Sequence, residues 1–216
     1  MQPQMNTDEH GCSVKAGKSA PRIVIASNNT GKLRELDALL KPLGFETVAQ
    51  SRLGVGEAEE PHETFLENAL AKARHASRAT GLPALADDSG LCVPALGGEP
   101  GVHSAYFAGR EGTREERDAR NNAKLVEALR TLEDCAAFYY CVLVLMRSAE
   151  DPVPIVADGR WHGKIALEPR GSGGFGYDPY FVPAGDSRAS AQLADAEKNR
   201  VSHRAQALAA LVARLR

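Results

Sequence analysis

From Arg22 onward the chain alternates short apolar runs with longer amphipathic ones. Ile23-Val24-Ile25-Ala26 predicts a buried strand that breaks into the polar Ser27-Asn28-Asn29-Thr30-Gly31-Lys32. Leu33 to Leu43 then recur at helical spacing, and Gly44 closes the helix. A second strand is expected at Glu46 to Gln50, followed by a loop and a long helix from His62 to Thr80, which starts after Pro61 and stops at Gly81. Leu82 to Ala86 is a third apolar stretch, running into Asp87-Asp88-Ser89-Gly90, and Leu91-Cys92-Val93 extends the strand region beyond it. Strand, helix, strand, helix, strand predicts an α/β fold.

The second half reads differently. Prolines and glycines between Pro94 and Gly101 punctuate a loop, and Thr113 with Glu116 forms a capping box for a helix reaching about Leu132. Phe138 to Leu145 is aromatic and β-branched, so it predicts a strand, with Val153 to Asp158 and Trp161 to Leu167 as antiparallel neighbours. Ser202 caps a last helix whose Ala205, Leu208, Leu211, Val212 and Leu215 share one face. Residues 1–20 show almost no apolar periodicity and are expected to form a mobile extension, leaving 21–216 as a single domain.

Composition narrows the field. Hydrophobic residues make up 43% of the 216, enough for a core, and the net charge of -2 offers no basic field for nucleic acid or an acidic membrane surface. No apolar run approaches the ~20 residues of a membrane helix, so a cytoplasmic protein is expected. Cys12, Cys92, Cys135 and Cys141 lack the spacing of a zinc site and are expected as reduced thiols.

Four places carry candidate chemistry, each with a plainer reading beside it. Asp87 and Asp88 repel one another, so a bound cation is one way to keep both ionised; an Asp-rich turn is the other reading. In an extended segment their side chains would point to opposite faces. Ser27 to Lys32 lies where a strand meets a helix N-terminus, whose free N–H groups favour phosphate, although a polar cap with a surface lysine has the same composition. The segment lacks the glycine spacing of a Walker loop. Gly171-Ser172-Gly173-Gly174-Phe175-Gly176 satisfies GxGxxG, but Tyr177-Asp178-Pro179-Tyr180-Phe181 does not open a helix, so it is no dinucleotide fingerprint. It is either a base-binding loop or a glycine-rich turn. Lys198, His203 and Arg204 cluster around the first turn of the last helix, where cations oppose the dipole and call for an anion. Lys72 lies one turn after Asn68 on the long helix, and Glu57-Ala58-Glu59-Glu60 precedes that helix.

Taken in order, Ser-Asn-Asn-Thr-Gly-Lys, Ala-Asp-Asp-Ser-Gly-Leu, Gly-Gly-Phe-Gly-Tyr-Asp-Pro and Ser-His-Arg resemble the inosine triphosphate pyrophosphatase family over about Ile23 to Leu215. The resemblance implies a mixed α/β sheet in two lobes, with flanking helices and a nucleotide cleft between them. It implies magnesium-assisted hydrolysis of ITP, dITP and XTP to the monophosphate and pyrophosphate, by a homodimer. By matching position it implies that Ser27, Asn28, Asn29, Thr30, Gly31 and Lys32 hold phosphates, with Lys72 nearby. Asp88 would activate water and bind Mg2+, with Glu59 as the second metal carboxylate and Ser89 touching substrate. Phe175, Gly176, Tyr177 and Asp178 would form the base pocket, and Lys198, His203 and Arg204 would close on the nucleotide. Tyr106 stands where many relatives carry arginine. A related enzyme for pyrimidine or modified nucleotides, and a nucleotide sensor without turnover, are the alternatives.

Overall fold

The computed structural model describes residues 21–215; the expected N-terminal extension and Cys12 lie outside the described residues. Six strands form one sheet in the order β2-β1-β3-β4-β5-β6. β1 (Arg22–Ile25) lies parallel to both β2 (Glu46–Ala49) and β3 (Ala84–Cys92). β4 (Ala136–Met146), β5 (Ile155–Ile165) and β6 (Phe181–Pro183) continue antiparallel. The two expected halves thus share a single mixed sheet.

Helices cover both faces, and the side-chain parity of β3 and β4 sorts the core between them. Ile23, Ile25, Leu85, Leu143 and Leu145 face α1 (Thr30–Leu40) and α5 (His203–Arg214), through Leu36, Leu40, Leu208 and Leu211. Val24, Ala84, Ala86, Val142 and Val144 face α2 (Phe65–Thr80), which meets them with Ala69, Ala73 and Ala76. These small residues bring the helix axis close to the sheet. A third cluster gathers Leu125 and Leu129 of α3 (Arg114–Leu129) with Tyr139, Trp161, Tyr177 and Phe181. Between β6 and α5 the short helix α4 (Asp195–Val201) was not anticipated from the sequence.

Several boundaries move. The long helix starts at Phe65, not His62, because Thr64 caps it by accepting from the Glu67 amide, while Asn68 ties the His62 backbone from both sides. Leu33 to Leu43 divides into α1 and a 3-10 turn at Lys41–Leu43, with Pro42 at its start. The two strands expected at Val153 to Asp158 and Trp161 to Leu167 are one. Gly159 pairs with Cys141 inside β5, and a Cβ there would lie 2.6 Å from the Ala207 amide nitrogen. The glycine between the two expected ranges lies within the strand and lets α5 pack against the sheet. The Asp87-Asp88-Ser89-Gly90 segment is no turn either. It is the interior of β3, paired with Leu143, Val142, Cys141 and Tyr140.

Candidate active site

The site exists because β3 outlasts β1. Val24 and Ile25 pair with Ala84 and Leu85, after which β1 ends and the chain turns into Ser27 to Thr30. From Asp87 onward β3 has β4 on one side and an opening on the other. A cleft of about 870 Å³ occupies it, beyond the carboxyl end of a parallel strand where open α/β sheets bind ligands. Its walls bring together Ser27 to Thr30, Lys32, Glu59, Lys72, Asp88, Ser89, Phe175 to Asp178, Lys198, His203 and Arg204. Of the residues expected at the site, Gly31 is the one set behind the wall. A Cβ on it would meet the Phe175 ring at 2.6 Å, so glycine lets the loop carrying Phe175 rest on the Ser27 to Lys32 segment.

Strand parity gives the adjacent acids different surroundings. Asp87 points toward α1 and α5 and its side chain is fully buried. Lys32 Nζ lies 2.5 Å from its Oδ1 and Arg204 Nε 2.7 Å from its Oδ2, and Ser89 Oγ and Cys141 Sγ donate to the same two oxygens. Burial alone would raise its pKa, but Arg204 and Lys32 outweigh burial and hold the carboxyl well below the usual range. Asp88 points to the α2 face, and its Oδ1 accepts from Lys72 Nζ at 2.7 Å. Here burial prevails over Lys72 and Lys32, so its pKa is raised, with Glu60 pushing the same way. One acid is locked between two cations on the α1 and α5 side; the other faces the cleft with a raised pKa.

Lys72 also reaches Glu60 Oε1 at 2.7 Å. The acidic run before α2 therefore does face Asp88 across a cation, and that cation is a lysine. Glu60, not Glu59, makes this contact, while Glu59 is exposed on the cleft wall.

The cations of the last two helices are tied to acids. Arg204 bonds Glu35 as well as Asp87, and donates to Ser89 Oγ at 3.1 Å. Lys198 bridges Asp178, at 2.7 Å, and Glu35, at 3.3 Å. Asp178 is further bonded by Ser190 Oγ and the Phe175 amide. The result is one buried chain of alternating charge: Lys32, Asp87, Arg204, Glu35, Lys198, Asp178. It links the Ser27 to Lys32 segment, α1, β3, the last two helices and the loop carrying Phe175 and Asp178. His203 is not the cation the sequence suggested. Its ring stacks on Tyr139 at 4.8 Å and 11° and near Trp161 at 6.5 Å, and burial, then Arg204, depress its pKa far enough to keep it neutral.

At the N-terminus of α1 the Asn29 side chain accepts from the amides of Gly31 and Lys32, and Ser27 Oγ accepts from the Asn29 amide. Thr30 lies on the cleft wall, and Asn28 accepts a long 3.5 Å contact from Gln50. Tyr177 lines the cleft with its ring in the core and its hydroxyl donating to the Ser104 carbonyl. The Gly176 amide donates to Asp118. Glu35, Arg114 and Asp118 went unread in the sequence; each meets partners far away along the chain and carries no local motif.

A nucleotide-sized cleft with a helix N-terminus at one side and a basic carboxylate at the other narrows the candidates, and comparison with known proteins decides among them. The model of the Ham1 family matches residues 23–214. The chain belongs to the Ham1 family. The dITP/XTP pyrophosphatase of Burkholderia pseudomallei is 63% identical over 194 residues, covering 90% of this chain and 93% of that one. That of Ralstonia nicotianae is 60% identical, covering 90% and 96%. Among solved structures, a HAM1 protein from Coxiella burnetii superposes with a TM-score of 0.82 at 46% identity, covering 90% of this chain and 98% of that one. The Staphylococcus aureus Ham1 protein gives 0.78 at 36% identity, covering 90% and 97%. The Ham1 fold and the resemblance read from the four motifs are thereby borne out. No helix among the described residues is long and apolar enough to cross a membrane.

Proposed function

We propose that this Ham1-family chain is a nucleoside triphosphate pyrophosphatase that hydrolyses dITP, XTP and ITP to the monophosphate and pyrophosphate, removing them from the nucleotide pool. Assembly as a homodimer and a cytoplasmic location belong to the same proposal. The observation that carries it is the division of labour between Asp87 and Asp88: a carboxylate with raised pKa faces the cleft, opposite a helix N-terminus suited to phosphate. Asp88 accepts the proton of the attacking water and orients it toward the α-phosphorus. Ser27 to Lys32 receive the phosphate chain through hydroxyl, amide and ammonium groups, and Lys72 balances charge beside Asp88. Pyrophosphate is then the leaving group.

Asp88 and Glu60 are the carboxylates that would hold magnesium, brought within two hydrogen-bond lengths of each other by their shared Lys72. Glu59, expected from the sequence in this role, lies on the same wall without that contact. Among the described residues no group of three or more His, Cys, Asp or Glu stands ready to cage a metal. Two carboxylates with phosphate oxygens and water suit this ion. When bound it would spread the negative charge of the reacting phosphates.

The base end favours a 6-oxo purine. Asp178 and Glu35 already accept from Lys198, Arg204, Ser190 and the Phe175 amide, so their acceptor capacity is largely used. Lysine and arginine can only donate, and each keeps spare hydrogens. An oxo group finds donors there; the amino group of adenine leaves donors facing donors. A panel of ITP, dITP, XTP, ATP and GTP with magnesium tests the proposal. Monophosphate plus pyrophosphate from the first three, far faster than from ATP, is expected from the 6-oxo argument, and far faster than from GTP from the family resemblance, with discrimination against GTP arising at position 2 because guanine shares the 6-oxo group; orthophosphate as the first product overturns the proposal.

A further inference from the structure

The cations expected at the site, Lys32, Lys72, Lys198 and Arg204, are each held by a carboxylate at hydrogen-bond distance. Arg114, the first residue of α3, is placed otherwise. Its side chain is 32% exposed on the cleft wall, and its acidic neighbour Asp118 is 3.8 Å away. Asp118 Oδ2 is moreover already accepting from the Gly176 amide. A guanidinium has five N–H donors. The one hydrogen bond it makes among the described residues runs from NH1 to Asn29 Oδ1 at 2.9 Å. That oxygen also accepts the Gly31 and Lys32 amides at the α1 N-terminus. Its guanidinium carbon lies 4.7 Å from the centroid of the Phe175 ring, a second contact that holds the side chain in place. Arg114 is therefore a pre-oriented cation with free donors, one atom from the phosphate-favouring end of α1, at the seam where base loop and phosphate loop touch.

We propose that Arg114 binds the terminal phosphates of the substrate, the part that departs as pyrophosphate, and so adds a charged contact that the four sequence motifs do not contain. The inference rests on the pyrophosphatase reading for the identity of the leaving group. Planar, bidentate recognition of phosphate oxygens is what a guanidinium with an unspent fork does best. Arg114 shares the Phe175 ring with Lys198, which lies 5.2 Å from its centroid, so service to the base is the competing role, and a comparison of pyrophosphate with a monophosphate separates the two. Arg114 would donate to non-bridging oxygens of the β- and γ-phosphates while keeping or exchanging its bond to Asn29.

Calorimetric titration of the full chain with magnesium and inorganic pyrophosphate, and separately with IMP, tests this in wild type, Arg114→Ala and Arg114→Lys. Loss of one charge-assisted contact should weaken pyrophosphate binding about 10-fold or more in Arg114→Ala and by less in Arg114→Lys, with IMP binding and melting temperature nearly unchanged. Unaltered pyrophosphate affinity in Arg114→Ala overturns the inference. So does an equal loss for pyrophosphate and IMP, which would make Arg114 a support for Phe175 instead. Because both ligands are followed by binding, a wild type that fails to cleave dITP yet shows the Arg114-dependent pyrophosphate site would refute the reaction and leave this assignment standing.

Discussion

Replacing Asp87 by asparagine tests the claim that this acid is structural. The side chain is fully buried and neutralises two cations, Lys32 and Arg204, whose side chains are 14% and 2% exposed. The charged cluster contains three cations, Lys32, Arg204 and Lys198, and three anions, Asp87, Glu35 and Asp178, so the substitution leaves one uncompensated positive charge in the interior. Breaking a buried pair from one side costs about 3–5 kcal/mol. Lys32 has room to swing toward the cleft, which places the expectation near the lower end, about 3 kcal/mol. For a domain of this size that is a drop in Tm of roughly 6–12 °C at neutral pH. The pH dependence supplies an independent check. Asp87 has a folded-state pKa below its unfolded value. Its stabilisation is therefore complete above the unfolded pKa of about 3.9 and is lost as pH falls toward the folded one. Wild type and variant should differ fully at pH 7 and converge below about pH 4. Urea unfolding across that range measures both. A Tm loss under about 2 °C at pH 7, or a gap that widens in acid, would refute the reasoning.

Asp88→Asn should lower kcat by about 10²–10⁴-fold while nucleotide still binds; retained turnover would remove Asp88 as the base. In the metal-free protein the Asp88 carboxyl should titrate above the ordinary carboxylate range, because burial outweighs Lys72 and Lys32, as carboxyl NMR across pH would show, and adding magnesium should lower that titration. Lys72→Met removes a cation that lowers the Asp88 pKa, so the same metal-free titration should move to higher pH; no movement would show that the 2.7 Å contact does not tune this carboxyl. Gly159→Ala puts a methyl group against the backbone of α5 and should cost about 1–3 kcal/mol, read by urea unfolding, with KM little changed in the folded fraction. Gly31→Ala places a Cβ 2.6 Å from the Phe175 ring; it should raise KM for dITP through displacement of the base loop, measured by steady-state kinetics.

Local chemistry made much of this protein legible along the chain. The apolar periodicity of Ile23 to Leu43 and of His62 to Thr80 marked real elements, the second beginning at Phe65, because caps, αL glycines and helical spacing act within a few residues. Thr113 and Glu116 close a capping box as their spacing demands. The period of two along a strand even required Asp87 and Asp88 to face apart. What Gly159 does depends on a neighbour the sequence does not reveal: it keeps β5 open to the backbone of α5.

The sequence by itself determined the order of elements from β1 to β4, the four motifs and the opposition of the two acids, all products of contacts between residues near one another along the chain. Only the tertiary structure decided which acid meets the cleft. That depended on α2 docking with Lys72 on one face of β3, and on α1 and α5 docking with Lys32 and Arg204 on the other. The same docking chose Glu60 over Glu59 beside Asp88 and brought Arg114 to Asn29 from 85 residues away. Charge pairing at such separations is set by how helices pack on a sheet, and no local pattern encodes it.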